Sequence, residues 1–227
     1  MLEEFGPSLF VADGPVVSFY GFPYSTRMAI VRLAGGDLWV WSPVALNQHL
    51  VEAIEALGVV RYLVSPNKIH HLFLHAWKER WPDARLFAPP GLARRKPELH
   101  FDAQLTDEPD PAWKGEIDQV IFHGSPVMEE VVFFHRASRT AIFGDLIQRH
   151  PPAAMTGFKG ALMKLDGLVG ESGSTPREWR LSFLRRGAAR LARDRVLAWN
   201  PQRLLIAHGE CAQSNATAII ECALAWI

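Results

Sequence analysis

The chain has 227 residues and is 48% apolar, enough to bury a sizeable core in one large domain or two small ones. Lys plus Arg and Asp plus Glu are equal at 24 each, which argues against nucleic acid as a partner, because phosphate binding draws on excess Lys and Arg. Two cysteines, Cys211 and Cys222, make no disulfide framework, the acidic start Met1-Leu2-Glu3-Glu4 has no signal-peptide pattern, and no apolar run approaches the ~20 residues of a membrane span. A cytoplasmic globular protein with no membrane partner is expected.

In chain order, β-rich runs at 8–12, 16–20, 27–33 and 38–41 read as a meander around the turns Asp13-Gly14-Pro15 and Gly35-Gly36-Asp37. A helix is predicted over 44–57, with Ser42 as N-cap, Pro43 in the first position and Gly58 as the stop. Strand 59–64 runs into the turn Ser65-Pro66-Asn67, then His70-His71 and a helix over 71–81 that stops at Pro82. Strand 85–88, a helical turn over 92–96 and a polar, Pro-rich excursion over 98–118 follow. Short strands are predicted at 119–123, 130–135 and 140–143. The stretch 146–175 is irregular, and Thr175-Pro176-Arg177-Glu178 reads as a capping box opening one helix to 199. That helix carries seven arginines, read as a solvated face with Trp179, Phe183, Leu184 and Leu191 turned inward, the alternative being a face that binds phosphate or a partner. Strand 203–207 and a helix over 215–226 close the chain.

Three of these strands end on metal-capable residues. Strand 59–64 leads to His70-His71, strand 140–143 to Gly144-Asp145, and strand 203–207 to His208-Gly209. Imidazoles and a carboxylate suit a divalent ion that keeps an open position for water. Glu129 and Glu130 are adjacent in a strand and face opposite sides, so they do not form a catalytic pair. Cys211, three residues past His208, has no identifiable activating group.

With those strand ends, the chain resembles the metallo-β-lactamase fold superfamily. The resemblance implies an α/β (α+β) four-layer αβ/βα sandwich forming a single domain over 1–227, with a helical insertion at about 146–199. The first metal motif of that superfamily, His-x-His-x-Asp-His, falls on 65–71. If His71 takes its last position, His70 takes the aspartate place, with Lys68 and Pro66 where histidines stand; if His70 does, Ser65, Asn67 and Ile69 replace the other ligands. Either way the first metal position is dismantled. Near the next ligand, spacing points to Pro126, with His123 as a displaced substitute. Gly144-Asp145 resembles the bridging carboxylate motif, and His208-Gly209 the final ligand. Pro66-Asn67 with His70-His71 also resembles a little-characterised branch known mainly by a domain of unknown function.

The resemblance implies a metal set of His70, His71, Asp145 and His208, with His123 as an additional candidate. Asp145 would orient the attacking water, and His70 or His123 would shuttle protons. The implied function is a metal-dependent hydrolase with a reduced, single-metal site for zinc or another divalent ion, acting on a small molecule. The alternative is a metal-free, non-catalytic member with a binding role. A homo-oligomer is compatible with either.

Overall fold

The computed structural model describes residues 1–19, 22–152 and 157–227. Position 20 of the expected strand 16–20 and positions 153–156 of the irregular stretch lie outside them. The first half of the chain supplies β1 (Glu3–Gly6), β2 (Leu9–Asp13), the short pair β3 (Val17–Phe19) and β4 (Phe22–Tyr24), β5 (Arg27–Arg32), β6 (Asp37–Trp41), α1 (Gln48–Leu57), β7 (Val59–Val64), α2 (Leu74–Arg80), β8 (Arg85–Ala88), α3 (Leu92–Arg95) and β9 (Ala103–Gln104). The second half supplies β10 (Ile117–Phe122), β11 (Glu130–His135), β12 (Thr140–Phe143), α4 (Gly157–Leu165), α5 (Arg177–Ser182), α6 (Arg186–Ala198), β13 (Arg203–Ile206) and α7 (Ala216–Ala223). Seven strands pair in the order β1-β2-β5-β6-β7-β8-β9, antiparallel as far as β6 and parallel from β6 onward. Four more pair as β10-β11-β12-β13, and only the last of these pairings is parallel.

Side-chain alternation explains how the two sheets stack. In β5, Ala29 and Val31 face the second sheet, while Met28 and Ile30 face α1 and α2. In β6, Trp39 and Trp41 point inward between the sheets, and Leu38 and Val40 point to the helices. The second sheet mirrors this arrangement. Ile142 and Leu205 enter the inter-sheet core, whereas Ala141, Phe143, Leu204 and Ile206 pack with Trp179, Phe183, Val196 and Ile220 from α5 to α7. Burial on both faces accounts for the unbroken apolar runs 141–143 and 204–207. The layers are helix, sheet, sheet, helix, the four-layer arrangement expected. Among the described residues no helix is long and apolar enough to cross a membrane.

Several helices differ from the sequence expectation: α4 lies in the stretch read as irregular, the helix expected over 215–226 is Ala216–Ala223, and three others change at their boundaries. The helix predicted over 44–57 starts only at Gln48, capped by Asn47, whose Oδ1 accepts from the Leu50 N–H at 2.9 Å. Ser42 is instead drawn into the site described below. The helix predicted over 71–81 starts at Leu74, after a turn that carries both histidines. The helix predicted over 175–199 is two helices, because the Gly124 carbonyl accepts the N–H groups of Leu184 and Arg185. Thr175 does not cap it, since its hydroxyl donates to the Leu146 carbonyl at 2.6 Å. Trp179 and Phe183 are buried as expected, but Leu184 and Leu191 are about three-quarters exposed, at 76% and 75%. Among these arginines, Arg177 pairs with Asp166, Arg195 with Glu108, and Arg190 with the Ile227 carbonyl.

His135 closes β11 at the end of the strand far from Glu130. It is buried with its Nδ1 2.7 Å from Ser138 Oγ, and burial pushes its pKa down to about 4. The unfolded chain therefore takes up a proton that the fold refuses. The neutral ring's contribution is complete above about pH 6.5 and is lost as pH falls toward the folded value, at up to about 1.4 kcal/mol per pH unit. Melting curves between pH 7 and 5 check this: the wild type loses stability more steeply than His135→Gln, and equal slopes refute it.

Candidate metal centre

Strand register places the site. In β6 and β7, Trp41 lies opposite Val64, and in β12 and β13, Phe143 lies opposite Ile206. Two parallel pairs, one from each sheet, therefore end together at one edge of the sandwich. The residues just past those ends are Ser42, the turn 65–71, Gly144-Asp145 and Ala207-His208. The fold thus gathers all three strand ends singled out from the sequence.

Asp145 is the hub of the cluster. Its Oδ2 lies 3.0 Å from His70 Nε2 and its Oδ1 lies 3.1 Å from His208 Nε2. The ligand-capable atoms of His70, Asp145 and His208 all lie within 4.8 Å of one another. Each is held from behind by a second group. His208 Nδ1 donates to the Ser25 carbonyl at 2.6 Å, which fixes the proton on that nitrogen. Ser42 Oγ lies 2.7 Å from His70 Nδ1. Asn67 Nδ2 donates to Asp145 Oδ2 and to Glu130 Oε2, both at 2.9 Å.

The His208 loop is equally constrained. Arg27 Nη1 donates to the Ile206 and Gly209 carbonyls at 2.9 and 2.8 Å. Gly209 has φ +103°, and a Cβ there would lie 2.1 Å from the Arg149 carbonyl oxygen, so only glycine fits. The Tyr24 ring meets the His208 ring edge-on at 5.1 Å, and burial, reinforced by the Asp145 charge, pushes its phenol up to about 12. It stays a proton donor through the neutral range.

Beneath Asp145 lies a second buried carboxylate. Glu130 accepts from the backbone N–H groups of Gly144 at 2.9 Å and Asp145 at 2.7 Å, from Leu146 at 3.3 Å, and from Asn67. Burial, and then the Asp145 charge, pushes its carboxyl up to about 7 against those donors. Burial also opposes ionisation of Asp145, but the His70 charge and the hydrogen bonds from His208 and His70 override it and hold Asp145 well below the usual carboxylate range. His208 is the reverse case: burial disfavours its charge, Asp145 outweighs burial, and the pKa rises.

The donor set fits a divalent cation. With Nδ1 protonated toward Ser25, an uncharged His208 turns its Nε2 lone pair on Asp145, and an ion between them removes that repulsion. Asp145 is a buried, ionised carboxylate whose charge a divalent cation balances. Zinc takes imidazole nitrogens and carboxylate oxygens as ligands, and these three residues offer one such atom each within 4.8 Å of one another.

The other expected residues are elsewhere. His71 is adjacent to His70 but outside the cluster; burial, then the charges of Lys96 and Arg95, lower its pKa. His123 sits between Glu129 and Asp107, with contacts of 2.9 and 3.0 Å, and does not join the three. Glu129 and Glu130 do face opposite ways, as expected, Glu129 toward His123 and Glu130 into the site. Ser42, Asn67 and Glu130 escaped the sequence reading as site residues. The available signal was a charged residue opening the otherwise apolar strand 130–134.

The family model for a domain of unknown function, DUF4336, matches residues 21–165, well over half of the chain. The chain belongs to the DUF4336 family. No curated protein sequence matches it. Solved structures that resemble this DUF4336 protein include metallo-β-lactamases and a flavodiiron core. DIM-1 metallo-β-lactamase exposed to ceftazidime superposes with a TM-score of 0.67 at 15% identity, over 98% of this chain and 95% of that one. FIM-1 from Pseudomonas aeruginosa, in its mono-zinc form, gives 0.63 at 13% identity, over 100% and 93%. The metal-soaked Flv1 flavodiiron core from Synechocystis sp. PCC6803 gives 0.67 at 11%, over all of this chain and 60% of that one. At these identities the likeness establishes the fold: this DUF4336 chain has the metallo-β-lactamase fold.

Proposed function

We propose that this DUF4336 protein is a metal-dependent hydrolase that works with one divalent ion, zinc being the expected one, on His70, Asp145 and His208. The chain is read as one metallo-β-lactamase-like domain in which the helices within 146–199 are an insertion. One observation carries the proposal: two imidazoles and a carboxylate meet within 4.8 Å, and each is oriented from behind by a further hydrogen bond. A bound divalent ion supplies Lewis-acid polarisation of a carbonyl or phosphoryl oxygen and activates water near neutral pH.

The chain's own groups do the rest. His208 presents Nε2 because Ser25 holds the Nδ1 proton. Asp145 stays ionised and offers lone pairs to a water proton. Asn67 keeps the Asp145 and Glu130 carboxylates apart by donating one N–H to each. A cytoplasmic setting accords with two free cysteines.

Turnover of chromogenic esters, thioesters, lactams and phosphodiesters tests the reading. At least one class is expected to be hydrolysed, with a loss of 100-fold or more on chelation and recovery on adding zinc or manganese. Hydrolysis that survives chelation, or a metal-replete protein inert toward every class, overturns it.

A further inference from the structure

Ser42 was expected to cap a helix, yet Asn47 does that work five residues later. What Ser42 does instead follows from three observations. Its Oγ lies 2.7 Å from His70 Nδ1. It is buried, at 6% exposure, directly past the end of β6, where its N–H donates to the Val64 carbonyl at 2.9 Å. Its backbone has φ +50°, a left-handed conformation that strains any residue with a Cβ and favours glycine. A serine held there against its backbone preference points to a role for the hydroxyl.

The hydroxyl's consequence is a matter of protons. A neutral imidazole carries one N–H and one lone pair. For His70 to present a lone pair at Nε2, where Asp145 and His208 converge, its proton must sit on Nδ1. There the Ser42 oxygen accepts it. Ser65 secures the same residue from the other side, its Oγ lying 2.8 Å from the carbonyl oxygens of both Asn67 and His70. One serine thus holds the ring and the other the backbone. We propose that Ser42 is a positioning residue that fixes the tautomer and ring angle of His70 for cation binding. This rests on the proposed metal site.

Ser42→Gly separates this role from a merely structural one. Glycine relieves the left-handed strain while removing the hydroxyl, so the fold should persist. The expected result is a melting temperature without metal within a few degrees of wild type, zinc affinity weaker by about 10–100-fold in chelator competition, and faster solvent exchange of the His70 Nδ1 proton by NMR in the zinc-loaded protein. Ser42→Ala, which keeps the strain and lacks the hydroxyl, should lose zinc affinity to the same degree. A folded Ser42→Gly protein that binds zinc within twofold of wild type, with an unchanged His70 signal, overturns the inference and leaves the metal reading standing. Wild type that takes up no zinc overturns the metal reading itself, and this inference with it.

Discussion

Glu130→Ala is expected to be the most destabilising single substitution at the site, by roughly 3–5 kcal/mol. The side chain is fully buried and accepts from three consecutive backbone N–H groups, those of Gly144, Asp145 and Leu146, and from Asn67. Removing it leaves four donors without that acceptor, and each unsatisfied buried group costs about 1–3 kcal/mol before water or relaxation offsets some of it. Against a typical total stability of about 5–15 kcal/mol the loss is large. For a chain of this size it corresponds to a melting temperature lower by about 10 °C or more. Glu130→Gln keeps the volume but turns an amide N–H toward backbone donors, so an intermediate loss is expected. Thermal unfolding of both variants without metal checks this, and a Glu130→Ala protein melting within a degree or two of wild type would contradict the role given to the carboxylate.

Zinc itself should stabilise the wild type strongly. A ligand bound only by the native state and present at a hundred times its dissociation constant adds about 2.7 kcal/mol, or about 5–10 °C for a chain of this length. In Asp145→Asn the shift should vanish. That change keeps the size of the hub but replaces the oxygen facing one imidazole with an NH2 group and removes the charge that holds both. The zinc shift should also shrink as the pH falls. Cation binding needs unprotonated imidazoles, and the pKa of His208 is raised, so protons compete from above the ordinary histidine value downward. An equal shift in wild type and Asp145→Asn would place the zinc elsewhere.

Much of this architecture was legible in residue order. Runs such as 141–143 and 204–207 are apolar throughout because both of their faces are buried, and they read as strands for that reason. His70, Asp145 and His208 were visible because each follows such a run, and parallel register then brings the run ends to one edge. His71 shows the limit of the resemblance: the last position of the motif suggested it as a ligand, but the two neighbouring side chains diverge, and only His70 reaches Asp145.

The supporting shell was not legible, because it is tertiary. Ser42 looked like a cap since Ser-Pro before an apolar stripe is a local signal, and the imidazole that claims it comes 28 residues later. Asn67 looked like a lost ligand, yet it joins two carboxylates from β11 and the β12 end. The break between α5 and α6 has no Gly or Pro at its centre. It comes from a carbonyl at Gly124, so periodicity ran through it and turned Leu184 and Leu191 the wrong way.

Elemental analysis of the purified protein beside Asp145→Ala and His208→Ala tests the metal centre most directly. Close to one divalent ion per wild-type chain is predicted, with little or none in either variant while both remain folded. A stable wild type that is metal-free and takes up neither zinc nor manganese, or variants that keep the ion, would contradict it.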